Sequence, residues 1–288
     1  MMSSERCPSA EFPYTLVPMT VTEDLELIHQ LADTADGISM RYFAAGTMPT
    51  QTKADGSPVT QADREVERAI RDRLGVSRPD DLVIGEELGS SGSASRRWIV
   101  DPIDGTANFS TGKPEWSTLL AVEADSEIVT GMISAPALRR RWWATRSAGA
   151  WTSSSADRDQ DRHELLTVSS IATLDKATIA VWPLSAWVPA AHVAAGARLV
   201  ELGAGGGPVS NWSGVCHGAM LVAAGTADVF FHMSARPWDI ATAVPIVEEA
   251  GGTFSDLDGG RSISSGAAVC SNGHVHREVL DLLRTASA

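Results

Sequence analysis

Cysteine is scarce in this chain, and the three that are present, Cys7, Cys216 and Cys270, lie far apart. Structural zinc sites need pairs of ligands at short spacings, and disulfide-stabilised domains are small and rich in cysteine. An odd and sparse set fits neither pattern. The sequence therefore argues against a disulfide framework and indicates a reducing compartment, which we expect to be the cytoplasm.

Long apolar runs are also missing. No segment approaches the roughly 20 apolar residues of a membrane-spanning helix, so we expect no membrane partner. Residues 1–19 contain three prolines and no apolar core preceded by basic residues. They are therefore predicted to form a flexible N-terminal tail rather than a secretory leader.

Positive charge is in short supply as well. The 23 Lys and Arg residues are outnumbered by 36 Asp and Glu residues, which gives a formal net charge of −13. Nucleic acids are bound mainly through basic patches, so no nucleic-acid partner is expected. The one basic cluster, residues 139–143, is more typical of a substrate rim or a subunit contact. Excess acid also repels a phosphorylated metabolite unless bound cations reverse the local field.

The composition that remains, 43% hydrophobic and 20% charged over 288 residues, is typical of a folded enzyme. We predict an N-terminal α+β half at residues 20–152 that holds the functional site, and a C-terminal α/β half at 165–288. A Ser-, Asp- and Arg-rich segment at 152–164 is predicted to connect them as an exposed loop.

Hydrophobic periodicity predicts the elements. One helix begins near residue 22, and a second begins at Thr60 and ends at Gly75. Strands are predicted in the first half at 82–84, 98–100, 118–123, 128–134 and 142–146. In the second half, helices are predicted at 187–200, 212–224 and 239–250, strands at 177–182, 229–233 and 267–271, and a flexible Gly-rich turn at 203–207. This alternation indicates a layered α/β architecture.

The most informative stretch is residues 98–106, Trp-Ile-Val-Asp-Pro-Ile-Asp-Gly-Thr. A strand-like run ends there in two carboxylates, Asp101 and Asp104. Pro102 removes a backbone donor and favours an extended Asp101, while Gly105 permits a tight turn. Two oxygen ligands can therefore converge where a regular strand would separate them. Because hard divalent cations prefer oxygen ligands, the stretch predicts a metal site.

Two further segments carry acids at the ends of apolar runs. Val-Ile-Gly-Glu-Glu ends in Glu86 and Glu87, and Trp-Asp at 238–239 opens a helical run with Asp239. In this order the Gly-Glu-Glu, Asp-Pro-Ile-Asp-Gly-Thr and Trp-Asp motifs resemble those of the inositol monophosphatase family of magnesium-dependent phosphomonoesterases. The resemblance covers about residues 22–284, and three ordered motifs are more specific than any one of them.

The resemblance implies an αβαβα sandwich, a homodimer and two or three Mg²⁺ ions in each active site. It assigns the first ion to Glu86, Asp101 and the backbone carbonyl of Ile103. It assigns the second ion to Asp101, Asp104 and Asp239.

The same resemblance assigns Glu87 to an outer ion or its water, and the pair of Asp63 and Thr106 to the attacking water. Gly105 and Thr106 would offer backbone N–H groups to the phosphate of the substrate. Lys53 falls on the loop that covers the active site in the family.

Simpler interpretations exist for each residue taken alone. Glu86 and Glu87 can be a solvated pair after a strand, and Asp63 can be an N-terminal cap three residues after Thr60. Asp239 can complement the dipole of the helix that it opens. The joint occurrence of all the motifs favours the metal site.

Within the family, residues 100–109 and 134–144 look closest to actinobacterial histidinol-phosphate phosphatases. Histidinol phosphate is therefore the leading substrate, and inositol phosphate or another sugar phosphate is the alternative. A 3′-phosphonucleotide phosphatase and a catalytically silent binding protein are the other hypotheses.

Two positions depart from that subgroup. Family members that act on inositol or histidinol phosphate often carry a glutamate seven residues before the Trp-Asp aspartate, where this chain has His232, and an acid found in the preceding helix is replaced near Val215. We expect His232 and Asp239 to face the substrate, although His232 can instead be a packed residue at the end of the strand 229–233. His274 and His276 are predicted to lie on the surface near a C-terminal helix.

Overall fold

The computed structural model describes residues 19–46, 48–90, 94–154, 163–182, 188–208 and 217–286. The tail predicted at 1–19 falls outside these ranges apart from Met19, where the first helix begins. Cys7, Val215 and Cys216 lie outside them too. Cys270 is a buried free thiol.

The helices within these ranges are α1 (Met19–Ala44), α2 (Gln61–Ser77), α3 (Thr106–Ser110), α4 (Ala190–Leu202), α5 (His217–Ala223), α6 (Pro237–Ile240), α7 (Ala243–Glu249) and α8 (His276–Ala286). None of these helices is long and apolar enough to cross a membrane.

The strands are β1 (Gln51–Thr52), β2 (Pro58–Val59), β3 (Leu82–Gly85), β4 (Gly89–Ser90), β5 (Arg96–Asp104), β6 (Ser117–Ala124), β7 (Glu127–Ala135), β8 (Arg140–Thr145), β9 (Ala150–Ser154), β10 (His163–Leu165), β11 (Thr178–Trp182), β12 (Gly205–Pro208), β13 (Val229–His232), β14 (Thr253–Ser255) and β15 (Ala268–Ser271).

These strands form two large sheets and a separate hairpin. The first sheet has eight strands in the order β10-β9-β8-β7-β6-β5-β3-β4, and the second has five in the order β12-β11-β13-β15-β14. The hairpin pairs β1 with β2. Most neighbours in the first sheet are antiparallel, but β3 runs parallel to β5, so the ends of these two strands meet at one edge of the sheet.

Three apolar clusters separate the layers. The first joins α1 and α2 to one face of the eight-stranded sheet, and includes Ile28, Ile70 and Trp98. The second lies between the sheets around α5 and α7. The third joins α4 and α8 to the outer face of the five-stranded sheet. The order of layers is therefore αβαβα, and the sandwich predicted from the family resemblance is confirmed.

The predicted Gly-rich turn at 203–207 is wrong for its second part. Gly205–Pro208 forms the edge strand β12, which pairs parallel to β11 with Thr178 opposite Gly205. Glycine contributes no side chain to the pattern that predicts strands, and here the pairing comes from the main chain alone. The sequence pattern therefore could not indicate this strand.

The exposed connection predicted at 152–164 is wrong at both ends. Strand β9 continues to Ser154, and β10 pairs with it from His163. Residues 155–162 lie outside the described ranges. Strand β10 is a sheet edge with little burial, and such strands have the polar composition of loops.

Two helix boundaries also differ from the predictions. The helix predicted to stop at Gly75 continues to Ser77, where the N–H of Arg78 bonds to the carbonyl of Leu74. The single helix predicted at 239–250 is divided into α6 and α7. Pro245 lacks the N–H that would continue the hydrogen bonds of one long helix, but it is tolerated in the first turn of α7.

Candidate active site

Strand β5 presents both carboxylates of the central motif. Asp101 pairs with Leu119 of β6 and Asp104 pairs with Ser117, so three residue steps on β5 match two on β6. The extra residue is a β-bulge, which redirects the side chains that follow it. Inside it, the carbonyl of Pro102 accepts a hydrogen bond of 2.9 Å from the Thr118 hydroxyl.

The tight turn predicted at Gly105 is present. Gly105 has φ 86° and ψ 34°, a left-handed conformation that favours glycine, and α3 begins at the next residue. Its carbonyl accepts hydrogen bonds from the N–H groups of Asn108 at 2.9 Å and Phe109 at 3.1 Å. The turn therefore places Thr106 directly beside the end of β5.

Thr106 and Asp63 are joined through their side chains. The Thr106 hydroxyl lies 3.1 Å from Asp63 Oδ1 and 3.1 Å from the carbonyl oxygen of Ile103, so either atom can accept its proton. The second oxygen of Asp63 accepts hydrogen bonds from the N–H of Thr60 at 2.8 Å and from its hydroxyl at 2.5 Å. Asp63 is thus both a helix cap and a partner of Thr106. Burial raises its pKa to about 6, against the effect of these hydrogen bonds.

Glu86 and Glu87 follow the end of β3 and share one cation of the protein. The Lys53 ammonium lies 2.6 Å from a carboxylate oxygen of each glutamate. Burial disfavours the charged form of Lys53, but the two glutamates outweigh it and raise its pKa. Burial raises the pKa of Glu87 to about 7, and Lys53 opposes that rise. The hairpin that carries Lys53 therefore lies over this pair.

Asp239 lies in the first turn of α6, the helix that follows β13 of the five-stranded sheet. Its Oδ2 accepts a hydrogen bond of 2.8 Å from the N–H of Arg236, which is the capping role that the simpler interpretation expects. Burial raises the pKa of Asp239 to about 7, the Arg236 N–H opposes the rise, and the charge of Glu86 adds to it. Asp239 is therefore both a cap and a member of the acidic cluster.

The acids repel one another most strongly at Asp101. Burial raises its pKa well above the usual range, and the charges of Glu86, Asp104 and Asp239 raise it further. Its Oδ1 is buried and has no hydrogen-bond partner within the described part of the chain. A buried acceptor without a donor is costly, and carboxylates that repel one another are stabilised by a cation.

This donor set fits a hard divalent cation such as Mg²⁺. It consists of carboxylate oxygens together with one main-chain carbonyl, that of Ile103. Over the ranges that the structure covers, no group of three acidic, histidine or cysteine side chains is already arranged to hold an ion. Glu86 and Glu87 instead turn toward Lys53, which supplies part of the positive charge that the cluster requires.

His232 is the last residue of β13, opposite Trp182 and Ala268 of the neighbouring strands. Its side chain is only 2% exposed, and neither ring nitrogen has a hydrogen-bond partner in another described residue. Its ring meets that of Phe230 edge to face at 5.8 Å. Burial lowers its pKa to about 3, so the imidazole is neutral. The position of any substrate acid near Val215 lies outside the described residues.

His276 corrects a prediction. It was expected on the surface, but it is 9% exposed, and its two ring nitrogens lie 2.9 Å from the hydroxyls of Ser255 and Ser271. These contacts attach the start of α8 to β14 and β15. Ser271 lies five residues before His276 and Ser255 lies 21 residues before it, and no motif in the sequence marks either serine as a partner of the ring.

The basic cluster at 139–143 is divided between surface and interior. Arg140 is exposed, whereas Arg141 makes ion pairs with Asp33 and Asp36 of α1, and the two tryptophans are buried. Arg141 also donates to the Ser134 hydroxyl at 2.9 Å. Much of this cluster therefore attaches α1 to the first sheet.

Two contributors to the site were not predicted. Glu67 accepts a hydrogen bond from the main-chain N–H of Glu87, and its only signal in the sequence is a charged residue among the apolar positions of α2. Arg236 forms an ion pair of 3.0 Å with Asp55 of the hairpin, and its guanidinium lies 5.9 Å from the ring centre of Trp238. The pair connects the hairpin to α6, and no motif indicates it.

Comparison with known proteins agrees with these features. The chain matches the profile of the inositol monophosphatase family over residues 21–288. The histidinol-phosphatase of Streptomyces coelicolor is 40% identical over 269 residues, which cover 91% of this chain and 97% of that protein. The histidinol-phosphatase of Mycobacterium tuberculosis is 41% identical over 266 residues, 91% of this chain and 98% of that protein.

A solved structure shows the same fold. An inositol monophosphatase (IMPase) from Thermotoga maritima matches with a TM-score of 0.77 at 28% identity, and the match covers 92% of this chain and 98% of that one. The family match spans nearly the whole chain and includes all three acidic motifs. On this evidence the protein belongs to the inositol monophosphatase family.

Proposed function

We propose that this protein is a Mg²⁺-dependent phosphomonoesterase that acts on a small phosphorylated metabolite, with histidinol phosphate as the leading substrate. The observation that carries the proposal is the buried acidic cluster around Asp101, next to the bonded pair of Thr106 and Asp63. Family membership and the two histidinol-phosphatase relatives support it. Inositol phosphate or another sugar phosphate is the alternative substrate.

The ion ligands belong to the proposal. Glu86, Asp101 and the carbonyl of Ile103 would hold one Mg²⁺, and Asp101, Asp104 and Asp239 would hold a second. Glu87 would serve a third ion or its water. When bound, the ions would polarise phosphoryl oxygens, lower the pKa of the attacking water and stabilise the leaving alkoxide.

The protein's own residues would position and deprotonate the attacking water. When the Thr106 hydroxyl donates to Asp63 Oδ1, the Thr106 oxygen is free to accept a hydrogen bond from water. Asp63, with a pKa of about 6, is ionised at neutral pH and can take up a proton through Thr106. The backbone N–H groups of Gly105 and Thr106 would bind the phosphate.

His232 is the residue that we assign to the leaving-group side of the site. His232 ends β13 shortly before α6, and its neutral imidazole offers one donor and one acceptor instead of a fixed negative charge. A substrate that carries an ammonium group would therefore lack an anionic partner at this position. A homodimer and a cytoplasmic location also remain predictions.

A phosphate-release screen tests the proposal. Roughly twenty phosphorylated metabolites would be incubated with the protein in Mg²⁺ and in EDTA, so that chemistry and specificity are measured together. We expect Mg²⁺-dependent release, fastest from histidinol phosphate. Faster release from inositol 1-phosphate would select the alternative, and release from adenosine 3′,5′-bisphosphate would indicate a phosphonucleotide phosphatase. No release from any compound would indicate a binding protein.

A further inference from the structure

Glu67 is a buried carboxylate on α2, four residues after Asp63 and on the same inward face. Its side chain has no exposed surface, and its neighbours on that face include Val66 and Ile70. Burial of a carboxylate is costly unless hydrogen bonds compensate for the lost water. The hydrogen-bond partners of Glu67 therefore indicate the role of this buried carboxylate.

Those partners lie in the turn that follows β3. Glu67 Oε2 accepts a hydrogen bond of 2.8 Å from the N–H of Glu87, and Oε1 accepts one of 3.1 Å from the N–H of Leu88. Oε1 also accepts 2.8 Å from Arg71 Nε. One side chain thus satisfies two consecutive N–H groups at the position where the acidic motif leaves the strand.

Arg71 binds main-chain carbonyl groups on either side of the same turn. Its guanidinium donates to the carbonyl oxygens of Val83 at 3.4 Å and of Gly89. The carboxylate of Glu67 therefore binds N–H groups of the turn, and the guanidinium of Arg71 binds carbonyl groups beside it. We call this pair of side chains the bracket. Because the two side chains form an ion pair, the bracket adds no net charge to a site that is already acidic.

Gly85 provides the space for this arrangement. A Cβ atom at Gly85 would overlap the carboxylate of Glu67, and its φ lies outside the left-handed region. Glycine is therefore required here for close approach and not for backbone freedom. The Gly of the Gly-Glu-Glu motif and the buried Glu67 form one unit.

We infer that Glu67 is a positioning residue that fixes the main chain at Glu87 and so sets the places of the Glu86 and Glu87 carboxylates. Asp63 bonds to Thr106 one helical turn earlier, so α2 aligns the two sides of the site as a single rigid element. The inference rests on the proposed metal-dependent function. It assigns to Glu67 the orientation of residues that bind the ion, without contact to ion or substrate.

The first test is calorimetric titration of Mg²⁺ into the full-length protein without substrate. Glu67→Gln keeps the side-chain volume but places an amide donor against one of the two N–H groups. We expect Mg²⁺ to bind roughly 10- to 100-fold more weakly, as for other residues that orient metal ligands. Glu65→Gln is the matched control, because Glu65 lies on the same helix but contacts Arg41 and Tyr42 of α1, and this variant should bind Mg²⁺ like the wild type.

Kinetics provide a second readout. The Mg²⁺ concentration for half-maximal activity should rise by the same factor in Glu67→Gln, whereas kcat at saturating Mg²⁺ and the substrate KM should stay within about threefold of wild type. A merely structural role would lower the thermal midpoint and leave the Mg²⁺ dependence of the folded enzyme unchanged.

Gly85→Ala tests the same unit from the other side. The new methyl group would displace the Glu67 carboxylate, so Mg²⁺ should again bind more weakly. Gly75→Ala is the control, because a Cβ there meets nothing within 4 Å. In a Glu67→Ala background the Gly85→Ala change should have little further effect, since the group that it displaces is gone.

The outcomes separate the two proposals. Wild-type Mg²⁺ affinity in both folded single variants, or loss of cooperative unfolding in both, overturns the positioning role. A wild-type protein that neither binds Mg²⁺ nor hydrolyses phosphomonoesters would refute the proposed function, and the inference would fall with it.

Discussion

The acidic cluster and the end of β13 respond to burial in opposite ways. In the cluster, burial raises the pKa values of Asp101, Glu87 and Asp239, and each added negative charge makes ionisation of the next less favourable. At the end of β13, burial lowers the pKa of His232 and leaves a neutral ring. A cation can stabilise the first region by neutralising its negative charge, whereas the neutral imidazole of the second carries no charge to neutralise. In the proposed function, the first region supplies the chemistry and the second the choice of substrate.

Removal of one carboxylate from the cluster should have the largest effect. We expect Asp104→Asn or Asp239→Asn to lower kcat by at least ~10²-fold, about 2.7 kcal/mol of transition-state stabilisation. The fold should persist, and the melting temperature in EDTA should stay equal or rise, because mutual repulsion is relieved. Phosphate release over a range of Mg²⁺ concentrations and thermal unfolding would measure both effects.

Asp175→Asn, at an exposed acid outside the cluster, is the control for that experiment. It should leave turnover and its Mg²⁺ dependence unchanged. Near-normal activity of Asp104→Asn or Asp239→Asn at limiting Mg²⁺ would contradict the proposed ligands.

The second-largest effect on kcat should come from Thr106 and Asp63, the pair proposed to position water. Thr106→Ala and Asp63→Asn should each lower kcat by about 10²-fold, with a smaller change in Mg²⁺ affinity, because they lose orientation and proton transfer rather than an ion ligand. The double variant should be little worse than either single variant. Independent, multiplied losses in kcat would show that Thr106 and Asp63 do not act as a unit.

A charge placed at the end of β13 should move specificity without abolishing chemistry. His232→Glu is expected to raise kcat/KM for histidinol phosphate over that for an uncharged phosphomonoester by about 10-fold, or 1.4 kcal/mol. His232→Gln, polar but uncharged, should leave the ratio near the wild-type value. An unchanged ratio in a folded Glu variant would remove His232 from the substrate pocket, and a fall would mean that the imidazole already serves the amine.

The pH dependence of stability should distinguish the two regions. With folded pKa values of about 7, Glu87 and Asp239 keep protons that the unfolded chain loses above its ordinary acidic pKa values. Without Mg²⁺, the free energy of unfolding should therefore decrease between about pH 4 and 7, by at least ~1 kcal/mol. His232 has the opposite effect. Between about pH 3 and 6.5 the unfolded chain binds a proton at this imidazole and the folded protein does not, so the contribution of His232 to the free energy of unfolding increases with pH over that range.

Thermal unfolding from pH 4 to 8, in EDTA and in Mg²⁺, measures this dependence. Saturating Mg²⁺ should abolish the decrease attributed to the carboxylates, and His232→Gln should remove only the opposing contribution. An identical pH profile with and without Mg²⁺ would show that the ion does not bind these acids.

The smallest expected effect belongs to the ion pair between the hairpin and α6. Arg236 and Asp55 are 56% and 41% exposed, and pairs of this kind contribute 0 to about 1 kcal/mol. Arg236→Gln should therefore change the free energy of unfolding by less than about 1 kcal/mol, measured by urea denaturation. A larger loss would show that the hairpin and α6 are coupled more strongly than their exposed contact indicates.

Local motifs made part of the site predictable. Asp101, Pro102, Asp104 and Gly105 are neighbours in the sequence, so proline and glycine chemistry could predict that their carboxylates converge and that the chain turns. The roles of these residues toward an ion remain predictions. The periodicity of α1 and α2 likewise predicted the helices, because each buries one continuous apolar face.

Contacts between residues far apart in the sequence were not predicted. Three such contacts join residues that are distant in sequence: that of Ser255 with His276, those of the main-chain donors with Glu67, and the parallel pairing of the glycines in β12. None of these contacts changes the hydrophobic period of its own segment. Polar side chains buried by such partners look like surface residues in the sequence.

The two hydrogen-bonding roles of Asp63 have an evolutionary consequence. One carboxylate oxygen accepts a hydrogen bond from the N–H of Thr60 at the start of α2, and the other lies within hydrogen-bond distance of the Thr106 hydroxyl. Selection for stability alone is therefore enough to retain this aspartate. A duplicated gene that lost turnover could drift at Thr106 and still keep Asp63 for its fold. In a newly sequenced relative, an intact aspartate at this position is therefore weak evidence of an active enzyme, and the threonine is the more telling residue to inspect.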